Sequence, residues 1–315
     1  MLTAGDADFG YASSTRWDWG STRDRHSMAD RAIIRDREDL MPTFRIFKYA
    51  VYILLVGNAG LFLIEDLAAS QIVFNEGVSG PRFIEAYAQT MDTAAWVVLL
   101  LMFELETAVL SDDTLRAGWA AVMSAARFVC YAVIFYSAYG YLESLDFITQ
   151  TVPLEVADVC SLVDAGYAYV ASLNEYPALS AESCRALIGQ ELLQIAETTI
   201  VGSYDQLERA RLLAIADIIN SIDWICVVII LEVEVFLQLR GLMSAFRTRA
   251  SLVIKIALYA VLFAVAAYWG IDGSLLDFWD AALWLVAFIF IEMNFFGWQS
   301  ETGDAQLEFP PGGVK

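Results

Sequence analysis

Three tryptophans are each followed eight residues later by a glutamate: Trp96 by Glu104, Trp224 by Glu232 and Trp284 by Glu292. Four residues before each Trp stands Asp92, Asn220 or Asp280, and two residues after each Glu stands Glu106, Glu234 or Asn294. Between Trp and Glu nearly every residue is apolar. A carboxylate is expensive in such a run, and those that persist face a bundle interior, pair with a base or serve an ion pathway. Recurrence at one spacing points to a repeated site as well as a repeated fold. The chemistry on offer is cation handling. Oxygen-only ligands suit a hard cation, a hydrated acidic ring selects cations, and a desolvated carboxylate can carry a proton.

Helix rise sets the depth. Asp92 and Glu104 are twelve residues apart, or ~18 Å at ~1.5 Å per residue. In a hydrocarbon core of ~30 Å that puts the glutamate in the inner leaflet. If the three helices line one axis, Glu104, Glu232 and Glu292 form an ion-binding ring. Residues i and i+2 are ~200° apart around a helix, so Glu106, Glu234 and Asn294 make a secondary set facing a neighbouring helix or the headgroups. Asp92, Asn220 and Asp280 would then form an outer vestibule. A structural reading competes with this one. Arg45, Arg127 and Lys255 also recur once per repeat, at the cytoplasmic ends of the preceding helices. The vertical offset to a glutamate is ~6–8 Å, a distance that long basic side chains span by snorkelling. Each base would then pin one helix to its partner. Five glutamates against three repeated bases leaves a surplus, one of which Lys48 could answer. The three tryptophans read first as interfacial anchors, and second as an aromatic constriction above the carboxylates. Tyr49, Tyr131 and Tyr259 read as packing residues whose hydroxyls can reach a glutamate.

The elements that must position these residues also repeat. Arg45 precedes Tyr49-Ala50-Val51, Arg127 precedes Tyr131-Ala132-Val133, and Lys255 precedes Tyr259-Ala260-Val261. The unit is therefore a hairpin, whose first helix carries the base and whose second carries Asp/Asn, Trp and Glu. The 315 residues are 58% hydrophobic with a mean hydropathy of +0.53, too apolar for an ordinary soluble domain. Six stretches approach the ~20 apolar residues that span a bilayer: roughly 46–65, 93–111, 127–145, 221–239, 252–270 and 281–298. The predicted fold class is an all-α integral membrane protein of six transmembrane helices, arranged as three tandem hairpins about a pseudo-threefold axis. Identically oriented repeats do not suggest an inverted repeat, whose halves have opposite topology. Hairpin one spans 44–112. Hairpin two spans 113–145 and 221–240 and is interrupted by an insert, 146–220. Hairpin three spans 241–298, and cytoplasmic tails occupy 1–43 and 299–315.

Helical periodicity at 154–173, 180–200 and 204–220 predicts a helical extracytoplasmic insert. Cys160 and Cys184 fall in it and are expected to form a disulfide. Cys130 and Cys226 lie in spans and are expected to stay free. Pro42 is expected to end any helix in the N-terminal tail before the first span, much of 1–26 reads as disordered, and no cleavable leader is visible. Basic residues concentrate at the predicted inner ends, and the loop 240–255 has no acid. That bias places both termini in the cytoplasm of a cell with this protein in its inner membrane.

The absences narrow the function. The only histidine is His26, and no phosphate-binding loop or nucleophile–base pair is visible. No catalytic residue, metal site or cofactor is expected. A formal charge of −20 argues against nucleic acid. Partners are expected to be the bilayer, a protein docking on the insert, and a second copy of the chain. The leading expectation is a cation or proton channel or transporter. The alternative is a non-catalytic scaffold or accessory subunit of a larger membrane complex, held together by Glu–Arg/Lys pairs.

Overall fold

A computed structural model describes the backbone of residues 20–73, 83–105 and 120–289. The chain divides into two compact units, Met1–Tyr49 and Ala50–Lys315. Long helices dominate: α1 (Gly20–Val73), α2 (Phe83–Glu104), α3 (Ala120–Thr149), α5 (Tyr204–Leu239) and α6 (Ala245–Asp272). A further helix, α7, covers 275–289, and a single turn, α4 (Ser183–Leu187), sits in the insert. Among the described residues, five helices are long and apolar enough to cross a membrane, so the chain is a mostly helical, multi-pass membrane protein. The first half of the sixth predicted span, 281–289, falls in α7, and its second half, 290–298, lies outside the described residues.

Helix ends follow local chemistry. Ser203 caps α5 with a reciprocal pair: its hydroxyl accepts from the Gln206 N–H, and the Gln206 side chain accepts from the Ser203 N–H. Two orphan donors are thereby satisfied. Gly241 at φ +64° ends the same helix, with the Leu242 N–H reaching the Leu237 carbonyl. A left-handed residue just past a helix is where glycine is favoured. Ser244 then caps α6. Pro42 does not end α1, contrary to the sequence expectation, and the segment 20–26 is helical as well. A proline removes one backbone donor, and the turns on either side carry the helix through.

The bundle forms by α2 packing on α3, α3 on α5, and α5 on α6. The α2–α3 crossing is close because Gly140 has no side chain. A Cβ there would lie 2.8 Å from the Ala88 Cβ and 3.0 Å from the Ile84 carbonyl oxygen. Neither atom is the end of a flexible side chain. Gly140→Ala is therefore expected to destabilise the protein by ~1–3 kcal/mol, the usual cost of overpacking. A thermal melt in detergent unchanged from the wild type would show that the helices separate freely.

The insert corrects the sequence reading. Over 154–173 and 180–200 it has only short helical turns, at Val159–Leu162 and in α4, instead of two helices. It holds a four-stranded sheet in the order β1-β3-β4-β2, from Thr151–Pro153, Ala168–Tyr169, Leu192–Ile195 and Ile200–Ser203. β1–β3 and β3–β4 are antiparallel, and β2–β4 is parallel. Short apolar runs fit either period, so periodicity alone cannot separate strand from helix there. Turns at Asn174 (φ 65°), Gly189 (φ 79°) and Glu197 (φ 59°) break the chain into strand-length pieces. The third segment, 204–220, is helical as expected, but as the first half of α5. Cys160 and Cys184 are disulfide-bonded, amid Val159, Leu179 and Leu187. The sheet packs through Ala168, Ile195 and Ile200, with adjoining Val170, onto Ile148 of α3 and Leu207 of α5. Cys130 and Cys226 are free.

Candidate functional site

The repeated residues above the tryptophans converge. Asp92, Asn220 and Asp280, on α2, α5 and α7, line one cavity of about 50 Å³. Gln89, Asp217 and Asp277 line it too, each three residues earlier on the same helix. Trp96, Trp224 and Trp284 lie four residues further along each helix. Positions i−3, i and i+4 share one helical face, so each helix presents three tiers of the wall. The lowest tier closes the cavity. Ring centroids are 6.4 Å apart for Trp96–Trp224 and 6.5 Å for Trp96–Trp284. Phe288 fills the remaining side, 4.4 Å from Trp224 and 6.4 Å from Trp284. All three tryptophans are buried. They pack against one another inside the bundle instead of standing at its lipid face as anchors.

Neutral donors hold the carboxylates in place. Tyr141 of α3 donates to Asp92 at 3.3 Å, Asn58 of α1 to Asp280 at 3.0 Å, and Gln89 to Asp277 at 2.8 Å. Ser274 donates to Asp277 at 2.7 Å. The Trp96 and Trp284 indoles lie one turn along from Asp92 and Asp280 and face them without closing a well-formed hydrogen bond to Asp92 Oδ1. Trp269 of α6 turns its indole N–H toward Asp217 but closes no well-formed hydrogen bond. One oxygen of Asp92, Oδ1, is buried without a hydrogen-bond partner, although the residue is only 7% exposed. A second cavity, about 40 Å³, adjoins the first across Gln89, Tyr141 and Asp217. Asp66 lines it and accepts from both the N–H and the hydroxyl of Thr90, at 3.1 and 2.6 Å. Asn174 and Tyr176 of the insert also line it, so both cavities lie at the insert end of the bundle. Among the described residues, no Lys, Arg or His lines either one.

Toward the other end of the same helices the acids are met differently. Glu104 is buried and accepts from Tyr52 of α1 at 3.5 Å. Glu232 is exposed and accepts from Tyr131 of α3 at 3.0 Å, with Arg127 close by the same tyrosine. Glu234 is buried and pairs with Lys255 of α6 at 3.1 Å. The helical wheel accounts for this split. Glu234 is fourteen residues beyond Asn220 and ~40° from it, while Glu232, at twelve, is ~120° away. Arg45 belongs to the N-terminal unit, where Lys48 lies 5.2 Å from the Tyr49 ring centre. Glu106, Glu292 and Asn294 lie outside the described residues. Asp66, Gln89, Asp217 and Asp277 escaped the sequence reading. Extending the repeat one turn backward from Asp92, Asn220 and Asp280 would have found three of the four.

Fold and site together define a helical multi-pass membrane protein with a carboxylate-lined, tryptophan-floored cavity. No protein family, curated protein or solved structure matches the chain.

Proposed function

We propose that this protein moves a cation across its membrane, and that the carboxylate cavity is where the cation first binds. One observation carries the reading. Asp66, Asp92, Asp217, Asp277 and Asp280 line two adjoining cavities whose described walls contain no base. Neutral donors orient these groups without cancelling their charge. Buried charge left uncompensated is strongly unfavourable, so the cluster calls for protons or for a mobile cation.

A pseudo-threefold arrangement of hairpins supports the same reading. Tyr141 of α3 meets Asp92 of α2, Trp269 of α6 faces Asp217 of α5, and Asn58 of α1 meets Asp280 of α7. In each case the first helix of one hairpin braces the second helix of the hairpin before it, around a closed ring. The disulfide favours an oxidising compartment for the insert. With the basic bias of 240–255, it supports a topology with the cavity toward the outer face and both termini in the cytoplasm. Beyond the tryptophan floor, buried Glu104 is the described carboxylate that would receive the ion, whereas Glu232 is turned to the exposed side of its helix. The closed floor argues for a gated channel or a transporter over an open pore.

A second reading has its own observation. The Glu234–Lys255 pair is buried and ties α5 to α6, as a non-catalytic scaffold would require. Flux in liposomes separates the two. Wild type, Asp92→Asn/Asp280→Asn and Glu104→Gln/Glu232→Gln/Glu292→Gln would be compared after matching their thermal stability. Each variant is expected to lose cation flux by about tenfold or more, that is ~1.4 kcal/mol or more on the permeation barrier. A folded wild type that passes no cation under any gradient or potential would end the transport reading and leave the scaffold.

A further inference from the structure

The wall chemistry bears on which cation. Aromatic rings and carboxylates together make up eleven of the fifteen residues lining the larger cavity. A hard metal ion wants six or more oxygen ligands, many of them carbonyls and waters. Among the described residues no group of acids is placed to hold a metal ion. Aromatic faces beside a carboxylate instead suit an ammonium with hydrocarbon attached, since rings attract the cation and shelter the alkyl part. The unpartnered Oδ1 of buried Asp92 supplies an acceptor that no protein donor uses. Size narrows the choice further. A water needs ~10–15 Å³ of such space, so cavities of about 50 and 40 Å³ have room for a few waters each or for a slender chain that runs through both. Acids run through both cavities: Asp92, Asp277 and Asp280 line the first, Asp66 the second, and Asp217 both.

We infer that the cavity binds a slender aliphatic diamine, one ammonium on Asp92 and Asp280 and the other toward Asp66. This rests on the cation-transport reading and gives that reading a substrate class. Tyr141, between the two cavities, lies along the methylene chain. The inner glutamates play no part in this recognition.

The test is calorimetric titration of the full-length protein in detergent with 1,4-diaminobutane, n-butylamine, tetramethylammonium and calcium chloride, alongside sodium flux in liposomes. Diaminobutane is expected to bind about tenfold tighter than butylamine, a difference of ~1.4 kcal/mol. Tetramethylammonium and calcium should not displace it. Asp92→Asn should weaken both amines by about tenfold, whereas Asp66→Asn should remove only the diamine's advantage. Equal affinity for the two amines, amine binding indifferent to Asp92→Asn, or displacement by calcium would each overturn the proposal. If no amine binds while sodium flux persists and is lost in Asp92→Asn, the diamine assignment falls and the transport reading stands. If neither binding nor flux is found, both fall.

Discussion

Lys255→Met is expected to destabilise the protein by ~3–5 kcal/mol, because it strands the carboxylate of Glu234 in a buried position. Both partners are almost fully enclosed, at 7% and 10% side-chain exposure. Solvent therefore cannot take over from the ammonium. The double substitution Lys255→Met/Glu234→Met should recover most of the loss, since a buried pair replaced by well-packed apolar groups is often neutral. Thermal melts of the single and double variants in one detergent decide this. A single variant as stable as the wild type would mean that the pair contributes nothing, and would remove the main support for a scaffold role. Full recovery in the double variant, with flux retained, would make the pair a structural pin with no part in permeation.

Trp96→Ala is expected to cost ~3–5 kcal/mol, the range for deleting a large buried aromatic side chain. Trp96 is the common neighbour of the cluster, within 6.5 Å of both other tryptophans. Its removal takes out the piece that links Trp224 to Trp284 and leaves a void beneath Asp92. Trp96→Phe should cost less, because a ring still fills most of the space. A permeation readout is also expected to change. The alanine variant should pass sodium faster than the wild type, since the floor between the outer carboxylates and the inner glutamates is opened. Slower flux in a folded Trp96→Ala protein would show that the tryptophans are part of the conducting path and not its closure.

What the sequence revealed followed from strong physical signals. The long apolar runs have no competing interpretation, so the spans at 46–65, 127–145, 221–239 and 252–270 fall inside α1, α3, α5 and α6. Cys160 and Cys184 were legible because two cysteines in one polar insert have few other fates. The strands were not legible. Leu192–Ile195 and Ile200–Ser203 are four residues each, too short for a period to declare itself. The turn between them depends on Glu197 at positive φ, a conformation that composition does not mark for glutamate. The tryptophans misled for a different reason. Depth along a helix was readable from spacing, but rotation about its axis was not, and rotation decides between a lipid-facing anchor and a packed floor. The same uncertainty hid the difference between exposed Glu232 and buried Glu234. Asp66 and Asp217 drew no notice because a lone acid near a span end is ordinary. Only their shared proximity to Gln89 and Tyr141 makes them one site.

One consequence lies in the length of α5. Its 36 residues extend ~54 Å at ~1.5 Å per residue, nearly twice a bilayer core of ~30 Å. The rod begins at Ser203, the last residue of β4, with no linker between sheet and helix. It carries Asp217, Asn220 and Trp224 in its middle and Glu234 near its far end. The disulfide-closed head and the transmembrane shaft are thus one lever. A push on the head reaches the tryptophan floor as a tilt or a turn of the shaft, without passing through a flexible joint. Anything that grips the sheet, whether a molecule or a mechanical load, has a direct handle on the cavity below.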